Sequence, residues 1–259
     1  MKAYILCDYE GTTGTVAWDD EEKALGAEAM AGDINATIEG LRQGGFTEFV
    51  TRDYHGGGRT IRPADIDCEA TLIRGKSTPY PYGLSEDFDA MCFVGAHCMA
   101  GVADGVMCHT MNGDIYELRL NGKLIGEVGG FAYLAGHFDV PIILVAGDRA
   151  VCAEAKGIIG DVETAVTKIG LTRNCAEVFH PSVSRKNITE GALRAAKRLS
   201  EFKPLKAELP CVLDVTYRNA DHADRVYETC GGERIADRTV RVVADTTLEA
   251  FKRFERGFQ

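Results

Sequence analysis

The chain has 259 residues, 45% of them hydrophobic, so it can bury a sizeable core as one large α/β domain or as two smaller ones. Its net charge of −10 argues against nucleic acid or an anionic membrane as a partner, because clustered basic residues hold both. No apolar run approaches the roughly 20 residues that span a bilayer, and nine cysteines without paired spacing favour reduced thiols, so we expect a cytoplasmic protein.

Apolar runs alternate with helical periodicity over the first 160 residues. A run at 3–7 predicts a buried strand that ends at Asp8. Apolar residues from Ala27 to Leu41, spaced by three and four, predict a helix that ends at Gly44-Gly45. Further strands are predicted at 46–51, 71–73, 91–95 and 141–146. This alternation predicts an α/β fold whose mostly parallel sheet carries helices on both faces.

A β-hairpin is predicted to interrupt this alternation. Residues 115–120 and 123–125 flank Asn121-Gly122, which is the strongest short hairpin signal. Glu127 follows the hairpin directly. It opens a glycine-rich helical segment that runs to about residue 136.

The C-terminal 100 residues predict a second, smaller α/β unit. Strands are predicted at 165–169, 209–217 and 239–244, and helices over the apolar face from Ile188 to Phe202 and near 221–229. A last helix opens with the capping-box pattern at 246–249. This part shows no candidate ligand cluster. We therefore divide the chain into a metal-binding catalytic domain at 1–160 and a packing or assembly domain at 161–259.

Side chains that can bind metal follow three of the predicted strands. Asp8 and Glu10 follow the first strand, and His55 and His97 each follow a later one. Singly, such residues are more often solvated carboxylates or structural histidines. Parallel sheets, however, bind ligands beyond the carboxyl ends of their strands, so the joint placement predicts one shared site. Carboxylates and imidazoles together suit Zn²⁺, and less often Mn²⁺ or Co²⁺.

His109 differs from these residues because it lies in a loop rich in glycine and methionine. One interpretation is a buried histidine that is bonded to the backbone. The other is a group beside the metals that transfers a proton or stabilises an oxyanion, since imidazole titrates near neutral pH.

Five short motifs occur in order: DYEGTTG at 8–14, DYH at 53–55, GAH at 95–97, MCHTM at 107–111 and GEVGGFAYLAG at 126–136. In order and approximate spacing they resemble the D-aminopeptidase (DppA) family of binuclear zinc peptidases. The resemblance covers residues 1 to about 160 and is looser beyond.

The resemblance implies a site for two zinc ions per chain. Asp8 would bridge the two ions, and Glu10 would bind one of them. The ligands that complete the set would be His55, His97 and Glu127.

The resemblance also implies an activity. His109 matches the catalytic histidine of the family. The chain would be an aminopeptidase that hydrolyses short peptides at a free N-terminus and releases D-amino acids. It would assemble into a homo-oligomer, in the form of a ring.

Two rival interpretations remain. The segment from Asp8 to Thr12 is also similar to the nucleophile loop of haloacid-dehalogenase-type phosphatases, with Asp148 as a later Mg²⁺ ligand, although Glu10 stands where that loop has aspartate. The other rival is a non-catalytic, peptide-binding protein with a structural metal. Structural zinc sites are usually closed and often contain cysteine, so five carboxylate and imidazole candidates favour an open, reactive site.

Overall fold

The computed structural model describes residues 1–76 and 81–256, and over these ranges the chain forms twelve strands and six α-helices. The strands are β1 (Lys2–Cys7), β2 (Glu48–Asp53), β3 (Ala70–Ile73), β4 (Ala90–Ala96), β5 (Ile115–Leu120), β6 (Lys123–Ile125), β7 (Ile142–Asp148), β8 (Glu163–Thr172), β9 (Cys175–Val178), β10 (Cys211–Tyr217), β11 (Glu233–Ala236) and β12 (Thr239–Ala244). The helices are α1 (Asp20–Gln43), α2 (Glu127–His137), α3 (Arg149–Ile159), α4 (Pro181–Lys197), α5 (Ala220–Cys230) and α6 (Thr247–Arg256).

The first sheet has seven strands in the order β3-β2-β1-β4-β7-β8-β9, and all of them run parallel except β9. Side chains alternate between its faces. On β1, Ile5 packs toward α1 and α4, whereas Leu6 belongs to the core that includes α2 and α3. The predicted parallel sheet with helices on both faces is confirmed.

The second sheet has five antiparallel strands in the order β11-β12-β10-β5-β6. On β10, Leu213, Val215 and Tyr217 are buried and share a core with α5 and α6. The predicted hairpin forms β5 and β6, and both residues of its turn have positive φ, 49° at Asn121 and 81° at Gly122. An Asn-Gly pair accepts this left-handed backbone at little cost.

Both sheets draw strands from either side of residue 160. Strand β8 pairs with β7 in the first sheet, and β5 pairs with β10 in the second. Strand pairing does not decide whether either segment folds alone. The division into 1–160 and 161–259 therefore stays a prediction, and its last three residues lie outside the described part of the chain.

The element boundaries depart from the sequence prediction where the residues are polar and exposed. Helix α1 begins at Asp20, well before Ala27, because Asp19 caps it by accepting the backbone N–H of Glu22 at 3.1 Å. Helix α4 ends at Lys197, and a 3-10 turn separates it from Phe202. The short, mostly exposed strands β9 and β11 and helix α3 were not predicted. No described helix has the length and apolar composition needed to cross a bilayer.

The loop after β1 packs directly against the end of β4. The backbone N–H of Gly11 donates to the carbonyl oxygen of Gly95 at 2.8 Å. A Cβ atom on Gly11 would lie 1.8 Å from the carbonyl oxygen of Ala96.

We expect Gly11→Ala to lower the free energy of unfolding by roughly 1–3 kcal/mol, because the loop must move away from the sheet. Urea denaturation measures this change.

The matched control is Gly157→Ala in α3, where an added Cβ meets nothing within 4 Å. It should raise the free energy of unfolding by about 0.5–1 kcal/mol, because glycine is a poor residue inside a helix. Equal stability of the two variants would contradict the close packing of this loop.

Candidate metal centre

The predicted ligands converge because they follow neighbouring parallel strands. Asp8 comes directly after β1, His55 two residues after β2, and His97 directly after β4. These strands lie side by side in the order β2-β1-β4, so their carboxyl ends meet at one edge of the sheet. Glu10 lies in the same loop as Asp8 and is buried with it.

The fifth predicted ligand reaches this edge from the second sheet. Glu127 is the first residue of α2, which follows the hairpin strand β6. A negative side chain is favoured there by the helix dipole. Its Oε1 atom accepts the backbone N–H of Met111 at 2.7 Å and lies 3.2 Å from Nε2 of His97.

The two oxygens of Asp8 face two different histidines. Oδ1 lies 3.3 Å from Nδ1 of His55, and Oδ2 lies 3.4 Å from Nε2 of His97. Oε1 of Glu10 lies 3.3 Å from the same nitrogen of His55. Asp8 therefore stands between one group with Glu10 and His55 and a second group with His97 and Glu127.

Two buried polar atoms in this cluster lack a hydrogen-bond partner. Among the described residues, Oε2 of Glu10 and Nε2 of His97 are buried and have no hydrogen-bond partner. Nδ1 of His97 lies 3.0 Å from the carbonyl oxygen of Cys98, which can only accept, so in the neutral ring that binds a metal Nδ1 carries the proton and the lone pair is on Nε2. Unpartnered carboxylate and imidazole atoms that point into one space fit a zinc-type cation.

His109 lies beside the second group. Its Nε2 atom lies 3.8 Å from Oε1 of Glu127, and its ring stacks on His97 with centroids 4.0 Å apart. Its Nδ1 atom lies 2.9 Å from the carbonyl oxygen of Met107, so Nε2 is the nitrogen that faces the site. One ligand atom each from His97, His109 and Glu127 lies within 4.8 Å of the others. The geometry thus suits His109 as an acid–base group and also as a further ligand.

Burial and mutual charge set the electrostatics of the cluster. Burial raises the pKa of Asp8, and the charge of Glu10 adds to this effect. Burial lowers the pKa of His55, but hydrogen bonds to Asp8 and Glu10 outweigh it and raise that pKa to about 10. Burial likewise lowers the pKa of His97, but the charge of Glu127 and the polar contacts with Asp8 and Glu127 together outweigh it and hold that pKa well above its usual value. Crowded carboxylates thus hold positive charge strongly, as a cation site requires.

A buried lysine that the sequence analysis did not single out supports the ligand loop. Nζ of Lys168, on β8, donates to the carbonyl oxygens of Glu10 at 2.6 Å, Thr12 at 2.9 Å and Thr15 at 2.5 Å. Burial lowers its pKa to about 7, against the opposing charges of Asp148 and other carboxylates. The only signal in the sequence was a lysine inside a predicted apolar strand.

The half-buried Glu154 and the buried Asp148 support the neighbouring loops. Glu154 accepts the backbone N–H of Met99 at 2.8 Å, just beyond His97. Asp148 accepts the backbone N–H groups of Val106 and Val151 at 2.7 and 2.8 Å. Both oxygens of Asp148 are therefore engaged with the backbone. The phosphatase interpretation, which needs Asp148 as a Mg²⁺ ligand and leaves the histidines idle, loses its support.

The single tryptophan of the chain also borders the site, although nothing in its sequence context indicated this. Nε1 of Trp18 donates to Oε1 of Glu10 at 2.6 Å. The Trp18 ring meets the ring of His109 edge to face, with centroids 5.8 Å apart. Trp18 thus binds the same oxygen of Glu10 that faces His55, while Oε2 of Glu10 is buried without a hydrogen-bond partner among the described residues.

The chain is similar to known proteins of one family. The D-aminopeptidase family matches residues 1–256. A D-aminopeptidase of Bacillus subtilis (strain 168) is 30% identical over 260 residues, which cover 97% of this chain and 94% of that protein. A solved structure described as the Zn-dependent D-aminopeptidase DppA from Bacillus subtilis, a self-compartmentalizing protease, superposes with a TM-score of 0.94 at 29% identity. The superposition covers 100% of this chain and 98% of that one.

We expect Lys168→Met to destabilise the protein strongly. The substitution leaves the buried carbonyl oxygens of Glu10, Thr12 and Thr15 without their shared donor, and each such loss costs about 1–3 kcal/mol. Thermal and urea unfolding measure the change. The control is Lys186→Met on α4, whose exposed ammonium lies 3.8 Å from Glu190 and should change stability by less than about 0.5 kcal/mol. Similar stability of both variants would show that the Lys168 contacts are dispensable.

Proposed function

The chain belongs to the D-aminopeptidase family and is a metal-dependent aminopeptidase, and we propose that it works with two zinc ions per chain. The observation that carries this proposal is the position of Asp8, whose two oxygens face two different histidines. A carboxylate in that position is suited to bridging two metals. The similar solved structure, described as Zn-dependent, supports zinc as the metal.

The ligand assignment follows from the two groups around Asp8. Glu10 and His55 would hold one ion together with Asp8. His97 and Glu127 would hold the other, again with Asp8. Zinc ions held there would supply a water of lowered pKa and polarise the scissile carbonyl. Each ion would have only three protein side chains as ligands, so a position would remain for water or substrate. This favours a catalytic site over a closed structural metal site in a peptide-binding protein.

The chain's own residues then manage the proton and the substrate. Met107 fixes the His109 ring through Nδ1, so Nε2 is directed toward the reacting groups. When protonated, Nε2 can donate to the leaving amine, or it can stabilise the oxyanion of the tetrahedral intermediate. Because Asp8, Glu10 and Glu127 would be zinc ligands, the free amine of a peptide would bind at this centre in its uncharged form. This favours cleavage next to a free amine.

The substrates that we propose are short peptides, with N-terminal D-amino acids released. The family description and the similar D-aminopeptidase of Bacillus subtilis support the release of D-amino acids, and the preference for short peptides stays a prediction. We also propose a homo-oligomer in the form of a ring, supported by the solved relative's description as a self-compartmentalizing protease. The cytoplasmic location of this protein stays a prediction.

The purified protein should carry about two equivalents of zinc per chain, because five ligand candidates are too many for one closed site. Asp8→Ala should lose both ions, since Asp8 faces both groups, whereas Glu10→Ala should weaken one ion preferentially. Elemental analysis and zinc titration measure this. Glu190→Ala, an exposed carboxylate on α4, is the control and should keep both ions. A protein that contains only Mg²⁺, or equal zinc occupancy in the two site variants, would contradict the assignment.

His109→Ala separates the roles that the geometry leaves open for this histidine. If His109 acts on the transition state, the variant stays folded with its zinc, and kcat falls by about 10²–10⁴ with little change in KM. Metal loss would identify it as a ligand, and normal turnover would identify it as a packing residue. His137→Ala, at the exposed end of α2, is the matched control and should retain normal kinetics.

A further inference from the structure

We propose that Arg173 forms a subsite for the C-terminal carboxylate of the peptide substrate and so favours short peptides. This inference rests on the proposed aminopeptidase function, because it takes the peptide's amine to lie at the carboxylate cluster. It adds a recognition group at the opposite end of the substrate.

Arg173 is held in place at the mouth of the site by its backbone and its side chain. It lies in the turn between β8 and β9, and its carbonyl oxygen accepts the backbone N–H of Met107 at 2.6 Å. Its Nε atom donates to the carbonyl oxygen of Cys108 at 3.2 Å. The next residue, Asn174, donates to the carbonyl oxygen of Val16 at 3.0 Å. The turn is therefore tied to the two loops that carry His109 and Trp18.

The indole ring of Trp18 connects Arg173 with the reacting groups. The guanidinium carbon of Arg173 lies 5.0 Å from the centroid of this ring, as in a cation–π contact. The same indole donates to Glu10 and meets the ring of His109. One aromatic ring thus separates the guanidinium from a proposed zinc ligand and from the proposed acid–base group.

The guanidinium has no acidic partner in the part of the chain that the structure describes. No carboxylate there lies within 4.0 Å of it, although the chain has 39 acidic residues against 29 basic ones. Some other arginines are paired, such as Arg241 with Asp214 at 2.6 Å and Arg198 with Glu163 at 2.8 Å, so it is the position of Arg173 beside Trp18, together with its lack of a pair in the described chain, that suits it to a ligand. Arg173 is exposed, and Nε is its only nitrogen with a partner within the described ranges. Its two terminal amino groups are available to a ligand.

The free groups match the chemistry of a peptide's C-terminus. A guanidinium presents parallel N–H donors that bind a carboxylate through two hydrogen bonds. The guanidinium of Arg173 lies 5.0 Å from the Trp18 ring, which in turn lies 5.8 Å from the His109 ring. An extended peptide advances about 3.3–3.6 Å per residue, so two or three residues along Trp18 would cover the distance between Arg173 and His109. In a longer peptide the carboxylate lies beyond Arg173. The geometry therefore favours dipeptides and tripeptides.

The experiment compares D-alanyl-D-alanine with its C-terminal amide, which lacks only the negative charge. In the zinc-loaded wild-type protein, kcat/KM should be higher for the acid. In Arg173→Met it should fall by about 10- to 100-fold for the acid, mainly through KM, and change little for the amide, because only the acid loses a charge-assisted pair. For the acid, kcat/KM of Arg173→Lys should lie between the values of the wild type and of Arg173→Met, since lysine keeps the charge and loses the planar pair of donors.

Arg225→Met is the matched control, because it removes the same charge from an exposed position on α5, outside the turn that carries Arg173. It should leave the ratio of acid to amide hydrolysis unchanged. Equal losses for both substrates in Arg173→Met would overturn the subsite and leave Arg173 a structural role. A wild-type enzyme that hydrolyses the acid and the amide equally well would overturn it too. A zinc-loaded wild-type protein that hydrolyses neither would overturn the proposed function, and the subsite with it.

Discussion

Three carboxylates that are buried side by side impose the main constraint on this structure. Asp8, Glu10 and Glu127 are each at most 3% exposed, and together they would repel one another strongly. Negative charges taken out of water this way are tolerated only with positive charge among them. The imidazoles of His55 and His97 lie 3.2 to 3.4 Å from these oxygens. The proposed zinc ions would neutralise the cluster further, so metal binding and stability of the site are linked.

The fold meets this constraint by holding each ligand loop from a different element. Lys168 on β8 binds the carbonyl oxygens of the loop that carries Glu10, and Glu154 on α3 binds the backbone just beyond His97. Trp18 fixes one oxygen of Glu10 directly. Such contacts around a metal site orient the ligands before the metal arrives, which reduces the reorganisation needed on binding.

The second sheet is part of the site although only one proposed ligand depends on it. Strand β5 pairs with β10, and the hairpin strand β6 leads into α2, which begins with Glu127. Displacement of this sheet would therefore move Glu127, a proposed ligand in the group that it forms with His97. On the other side of the centre, the β8–β9 turn brings Arg173 against Trp18. The part of the chain beyond residue 160 thus supports a site whose proposed ligands all precede it, and the proposed recognition by Arg173 would come from this part too.

The sequence by itself determined the local features of this protein. Apolar periodicity predicted the parallel sheet, and the polar residues at its strand ends predicted the convergence of Asp8, His55 and His97. Asn121-Gly122 predicted the hairpin. Each of these signals acts over only a few residues. Contacts between distant segments were decided only by the tertiary structure. The position of Lys168 beneath a loop more than 150 residues earlier is one such contact, and the pairing of β5 with β10 across residue 160 is another. Neither leaves a periodic pattern, since both depend on which surfaces meet once the sheets have packed.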